Sequence, residues 1–117
     1  MMDWFDDIVD DIERHQTELR LSYRRLWETM RVQSVSPDGM VTVTVDAVGS
    51  IIDVRFDADI GHSTFDELRC SICRAAHEAA RIARQHAKAL ITLAASTLGD
   101  AINFLPGAQG LLDDELG

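Results

Sequence analysis

The sequence predicts an α+β fold of order α-β-β-β-α: a three-stranded antiparallel meander flanked by two long helices. Three observations carry this. Val41-Thr42-Val43-Thr44-Val45 and Ile51-Ile52-Asp53-Val54-Arg55-Phe56 alternate apolar and polar residues at period two. Ser36-Pro37-Asp38-Gly39 and Gly49-Ser50 punctuate these runs with turn residues, and Val32 to Val35 enters the first turn as a third strand. On either side of this block the apolar residues change to helical spacing.

The first helix is expected over about residues 3–30. Phe5, Val9, Ile12, Leu19, Tyr23, Leu26 and Met30 follow steps of four and three, interrupted only by Gln16. Trp4, Ile8, His15 and Trp27 widen the stripe, and Asp3, Asp6 and Asp7 sit at the positive end of the helix dipole. The meander follows over about 31–57. Val41, Val43 and Val45 are expected to share one buried face with Ile52, Val54 and Phe56, while Thr42, Thr44, Asp53 and Arg55 point away. Three short strands do not stand alone in water, so the helices must cover that face. Thr64-Phe65-Asp66-Glu67 reads as a capping box opening the second helix, about 64–98, with Gly99 as its left-handed cap. The stripe of this helix is Leu68, Ile72, Ala76, Ala79, Ala83, Ala87, Leu90, Ala94 and Leu98. Its alanines admit another backbone at close range. The tail, 100–117, contains Leu105-Pro106-Gly107, ends acidic, and is expected to be flexible or a short helical end.

A chain of 117 residues is one domain with a modest core. At ~1.5 Å per residue the helices span roughly 40 and 50 Å. The strands reach only about 20 Å at ~3.3 Å per residue. Both helices must therefore overhang the sheet with apolar stripes still running, which predicts a homodimer.

Composition is that of a folded soluble protein, 46% hydrophobic and 26% charged. No apolar run reaches membrane-spanning length and the acidic start is unlike a signal peptide, so no membrane role is expected and the expected compartment is the cytoplasm. The net charge of -9 hides blocks of opposite sign. Residues 1–13 hold six acids and no base, and residues 14–31 carry +3. Residues 32–67 carry -6, residues 68–99 carry +4, and the tail carries -4. Both basic blocks fall in helix, and that asymmetry bears on partner choice more than the total does.

Gly39-Met40-Val41-Thr42-Val43-Thr44-Val45 through Gly49, then Ile52-Asp53-Val54-Arg55-Phe56-Asp57, then the Ala-Ala-x-x-Ala-Ala segment from Ala75 to Ala80, resemble the YbaB/EbfC family of bacterial nucleoid-associated proteins. The resemblance runs from the first helix to Leu98. It implies the α-β-β-β-α fold, a tweezer-shaped homodimer, and protruding helices that bind DNA with little sequence preference. The chain departs from the family in its acidic first helix, where Lys and Met are usual, and in a sheet approach reduced to one Pro-Asp-Gly turn.

Arg74, Arg81 and Lys88 are spaced by seven with Arg84 adjacent, and on the first helix Arg20, Arg24 and Arg31 cluster on one side with Arg14 and Arg25 on another. Such rows suit phosphate contacts along a groove between arms, where bound cations release counterions; a solvated, ion-paired face is the plainer reading. Trp4, Phe5 and Trp27 suit the core or a dimer interface more than a recruitment site for another protein, and with Ile8, Val43 and Val54 they are the candidates for a dimer or partner interface. Cys70-Ser71-Ile72-Cys73 with His77 one turn on has too few aligned ligands for structural zinc without His62, and lies too deep in a helix for thioredoxin-type chemistry. Packing of both cysteines on the sheet is the simpler expectation. The remaining histidines, His15 and His86, are scattered, and Asp6, Asp7, Asp10 and Asp11 read as a solvated face or a docking strip for a basic partner. No catalytic constellation, phosphate-binding glycine loop, cofactor, metal or small-molecule substrate is expected. Two functions follow: a homodimer binding DNA with little sequence specificity, or a non-enzymatic protein–protein adaptor on the same fold, a role the resemblance implies through members linked to specialised secretion systems.

Overall fold

In the computed structural model, residues 3–99, 105–108 and 110 are described. Helix α1 spans Asp3–Thr29, strands β1, β2 and β3 span Val32–Val35, Val41–Val45 and Ile51–Phe56, and helix α2 spans Phe65–Leu98. This is the α-β-β-β-α order, with one short 3-10 turn over Ala58–His62 between β3 and α2 where the sequence suggested only an acidic loop. The sheet runs β1-β2-β3, antiparallel throughout.

The turns do what their residues dictate. Ser36 N–H donates to the Val41 carbonyl at 2.8 Å across the first hairpin, which Gly39 closes at φ 77°. Asp38 then ties this turn to α2. Its carboxylate accepts from Ser36 Oγ at 2.5 Å, the Met40 amide at 3.0 Å and Ser71 Oγ at 2.6 Å. Led by the Ser36 hydroxyl, these donors favour the charged form and lower the Asp38 pKa to about 2. In the second hairpin Asp46 accepts the amides of Val48 and Ser50.

The core has two parts in series. Val32, Val41, Val43 and Val45 pack under the first half of α2 against Ala75, Ala79 and Ala83. The second half of α2 leaves the sheet and meets α1, enclosing Trp27 with Ala47, Ala87, Ile91 and Ala94. The buried line of α2 is Ser71, Ala75, Ala79, Ala83, Ala87, Ile91 and Ala94. Over the sheet this corrects the expected stripe by one residue: Ser71 and Ala75 face the valines, and Ile72 and Ala76 lie at the margin. Small side chains win these places because a helix axis must come close to a flat valine surface.

A second correction concerns β3. Val41 pairs with Phe56 and Val43 with Val54, but the register slips so that Val45 faces Ile51, a β-bulge that removes Ile52 from the strict alternation. Val54 is half-buried, while Ile51, Ile52 and Phe56 stay about half exposed. Strand β3 is at an edge of the sheet, and α2 packs mainly over β1 and β2, so that Val54 reaches the core while Ile51, Ile52 and Phe56 do not.

The tail also contributes to packing. Leu105 and Ala108 are buried beside Trp27, whose indole N–H donates to the Pro106 carbonyl at 2.6 Å. Gly107 makes the turn at φ 83°, and a Cβ there would lie 2.5 Å from Val48 Cγ1. Residues 105–108 of the segment expected to be flexible are thus docked on the α1–α2 junction; tail residues 100–104, 109 and 111–117 lie outside the described set.

The molecule measures 78 × 33 × 16 Å with a radius of gyration of 20.0 Å. A compact domain of this length would have about 13 Å, so the excess is the helices running beyond the sheet.

Candidate nucleic-acid interface

The helices run antiparallel where they meet. Tyr23 Oη lies 3.2 Å from Thr97 Oγ1 near the end of α2, while Trp27 packs beside Ala87 and Ile91. The N-terminal half of α1 therefore extends past α2 as a lone arm, and from Trp4 to Glu18 every residue except the half-buried Val9 is exposed.

The basic positions occupy the helix pair and the solvent side of α2. Arg74, Arg81 and Arg84 are exposed and Lys88 is half-buried, on the side away from the Ala79–Ala83 line. Arg20, Arg24, Arg25 and Arg31 are exposed on α1 and just beyond it, and Arg31 shares a groove with His86 of α2. Several are already engaged. Arg24 pairs with Glu28 at 2.9 Å, and Arg31 donates to the carbonyls of Glu28 and Met30. Arg81 grips Glu78 with two hydrogen bonds of 2.6 and 3.0 Å, which raises the Arg81 pKa and lowers that of Glu78. Among the described residues no ion pair takes up Arg20, Arg25, Arg74 or Arg84. The pairs that do form are exposed and within one helix, a kind worth only about 0.3–0.5 kcal/mol, so a phosphate competes with them readily.

The interface candidates divide. Trp4, Phe5 and Ile8 are exposed on the arm, the two rings meeting edge to face at 6.1 Å. Trp27 and Val43 are a correction: both are already buried inside their own chain, at 4% and 0% exposure, and offer a second copy no surface. Trp27 is consumed by α2 and the tail, Val43 by α2. Val54 sits half-buried beside Val43.

Cys70 and Cys73 do not pack on the sheet as expected; both thiols are free and exposed, because Ser71 takes the inward position of that turn. Among the described residues no group of three His, Cys, Asp or Glu side chains is placed to hold a metal ion, and no described helix is long and apolar enough to cross a membrane.

One apolar groove was missed. Phe56, Phe65, Leu68, Ile72 and Cys73 line it, with Arg69 at the rim, and Phe65 is 81% exposed. Its signal was present, since Phe65, Leu68 and Ile72 follow helical spacing, but the alanine line diverts the sheet to the neighbouring face.

A family model described as the YbaB/EbfC DNA-binding family matches residues 2–98. Among solved structures, the uncharacterized protein HP0035 from Helicobacter pylori is similar at 17% identity and a TM-score of 0.49, over 71% of this chain and 93% of that one. No curated protein matches the chain.

Proposed function

The chain belongs to the YbaB/EbfC DNA-binding family, and on that premise we propose that it is a homodimer that binds DNA at the nucleoid with little sequence specificity. The observation that carries this reading is the set of exposed arginines that no ion pair takes up among the described residues, Arg20 and Arg25 on α1 and Arg74 and Arg84 on α2. Side chains of this kind on a helix surface neutralise phosphates without reading base edges. The net charge of -9 does not oppose it. Fields are screened within about 10 Å at 0.1 M salt, so a phosphate at Arg74, near the start of α2, meets the local positive charge of residues 68–99 and not the acids of the chain's own arm. Self-association is supported by the apolar surface one copy leaves uncovered, at β3 and along the arm.

Fluorescence anisotropy with two unrelated duplexes over a salt series tests the reading. Both duplexes should bind with similar affinity and a negative log–log salt slope, which Arg74→Ala and Arg84→Ala each make shallower by about 1. Absence of binding at ~50 mM salt, or a slope untouched by both substitutions, overturns it. Sedimentation tests the dimer: a particle of 13.0 kDa at all concentrations rules it out.

A further inference from the structure

We propose that the N-terminal arm of α1, from Trp4 to Ile12, seats in the groove between α1 and α2 of a second copy of this chain. The proposal deepens the self-association put forward above and rests on it.

The arm has the form of a groove-binding helix. Phe5, Ile8 and Ile12 are spaced as i, i+3 and i+7, and with Trp4 they stand 51, 46, 54 and 63% exposed. Asp6, Asp7, Asp10 and Asp11 cover the rest of its surface, and no base falls between residues 1 and 13.

The groove has the opposite character. It is an open trough of about 500 Å³ walled by Leu26 and Met30 on one helix and Leu90 and Leu93 on the other. Leu26 and Leu93 are each 56% exposed, large apolar groups with nothing over them among the described residues. Arg31 and His86 line the same trough, within the two basic blocks of the chain. Acid on apolar thus meets base on apolar. The lengths agree as well: Phe5 to Ile12 and His86 to Leu93 each span seven helical steps, about 10 Å.

Charge disfavours two competing placements. Two arms paired with each other would bring six acids of one copy against six of the other. The groove at Phe56 and Phe65 has one base in its lining, Arg69, but Asp57, Asp66 and Glu67 adjoin its lining residues in sequence and outnumber that base three to one, so it attracts the acidic arm less than the trough does. Nor can the arm reach the trough of its own chain. Arm and trough wall lie on one unbroken helix, Asp3–Thr29, so folding back would require breaking it. The occupant must come from another copy, by mutual exchange in a closed pair or by head-to-tail addition.

Disulfide trapping tests the register. In a chain carrying Cys70→Ser and Cys73→Ser, the pair Ile8→Cys and Leu93→Cys should give an oxidised, intermolecular 8–93 link, while either cysteine alone stays uncrosslinked. A link between two copies of position 8 overturns the proposal, as does absence of any link. Sedimentation gives the energetic side. Phe5→Asp and Leu93→Asp should each weaken self-association by roughly 30-fold, the effect of losing a central apolar anchor. Leu21→Asp, equally exposed on the other side of α1, should leave it unchanged. All three positions are at the surface, and circular dichroism checks that the fold is kept. If the unmodified chain is a monomer, the homodimer and the arm–groove contact fall together. If a dimer persists unweakened in Phe5→Asp and Leu93→Asp, the contact alone falls.

Discussion

Leu105→Ala tests whether the tail is part of the core. Leu105 is 1% exposed and packs with Ala108 against Trp27, Ala87, Ile91 and Ala94. At a site closed on all sides, removing three side-chain carbons of leucine costs about 2–5 kcal/mol through lost transfer energy and a cavity. Here a ceiling applies. The segment is held by two buried side chains and one indole hydrogen bond, and the rest of the fold does not depend on it for connectivity. Burial of Leu105 contributes about 1.5–3 kcal/mol. The Trp27–Pro106 bond adds about 1 kcal/mol. Ordering the backbone of residues 105–108 opposes these at ~1–2 kcal/mol per residue, although Trp27 and Ile91 return part of that on being covered. The net docking energy is small, so the variant should release the segment before it loses the full cavity cost. The expected loss of global stability is about 1–2 kcal/mol, below the full cavity cost. For a domain near 100 residues that is a fall in Tm on the order of 5–10 °C. Fluorescence separates release from simple cavity formation. The chain has two tryptophans, and Trp4 is 63% exposed, so Trp4→Phe leaves Trp27 as the sole emitter with little effect on stability. Release of the segment should red-shift Trp27 and open it to acrylamide quenching. If Leu105→Ala changes neither emission, quenching nor Tm, the docked tail is wrong.

Asp38 makes acid stability predictable in sign. Its folded pKa of about 2 lies below the ordinary 3.8, so its contribution is present above pH ~4 and is lost as the pH falls toward 2; urea midpoints across that range should fall steeply in the native chain and less steeply in Asp38→Asn. Ala83→Leu, at 0% exposure between α2 and the sheet, should lift the helix from the valines at about 1–3 kcal/mol or more, whereas Ala76→Leu at the half-buried margin should be near neutral in the same denaturant titration. Gly107→Ala meets both a left-handed backbone and the Val48 side chain, and should reproduce the Trp27 quenching of Leu105→Ala without removing an apolar contact.

Much of the architecture was legible because it rests on local rules. Period-two valines, Pro-Asp-Gly and Gly-Ser turns, the Thr64 cap accepting the Glu67 amide at 3.1 Å and the Gly99 left-handed cap at φ 78° all depend on neighbours in sequence. What failed depended on partners remote in sequence. The alternation in β3 reads as a buried face, but whether it is covered is decided by where α2 lies, and α2 stops at β2. The bulge at Ile52 leaves no mark in the pattern. Arginines spaced by seven do share a side of α2, yet the engagement of Arg81 with Glu78 rests on rotamers that spacing does not specify.

By itself the sequence determined the element order, the turns, the caps and the overhang of helices longer than their sheet, since each follows from residue type and rise per residue. Only the tertiary structure decided that Ser71 and the alanines face the valines, that Trp27 is closed off by Leu105 and Pro106, and that the Trp4 to Ile12 arm stands uncovered. Those outcomes are settled by which surfaces can approach most closely across large sequence separations, and close approach is a property of the packed whole.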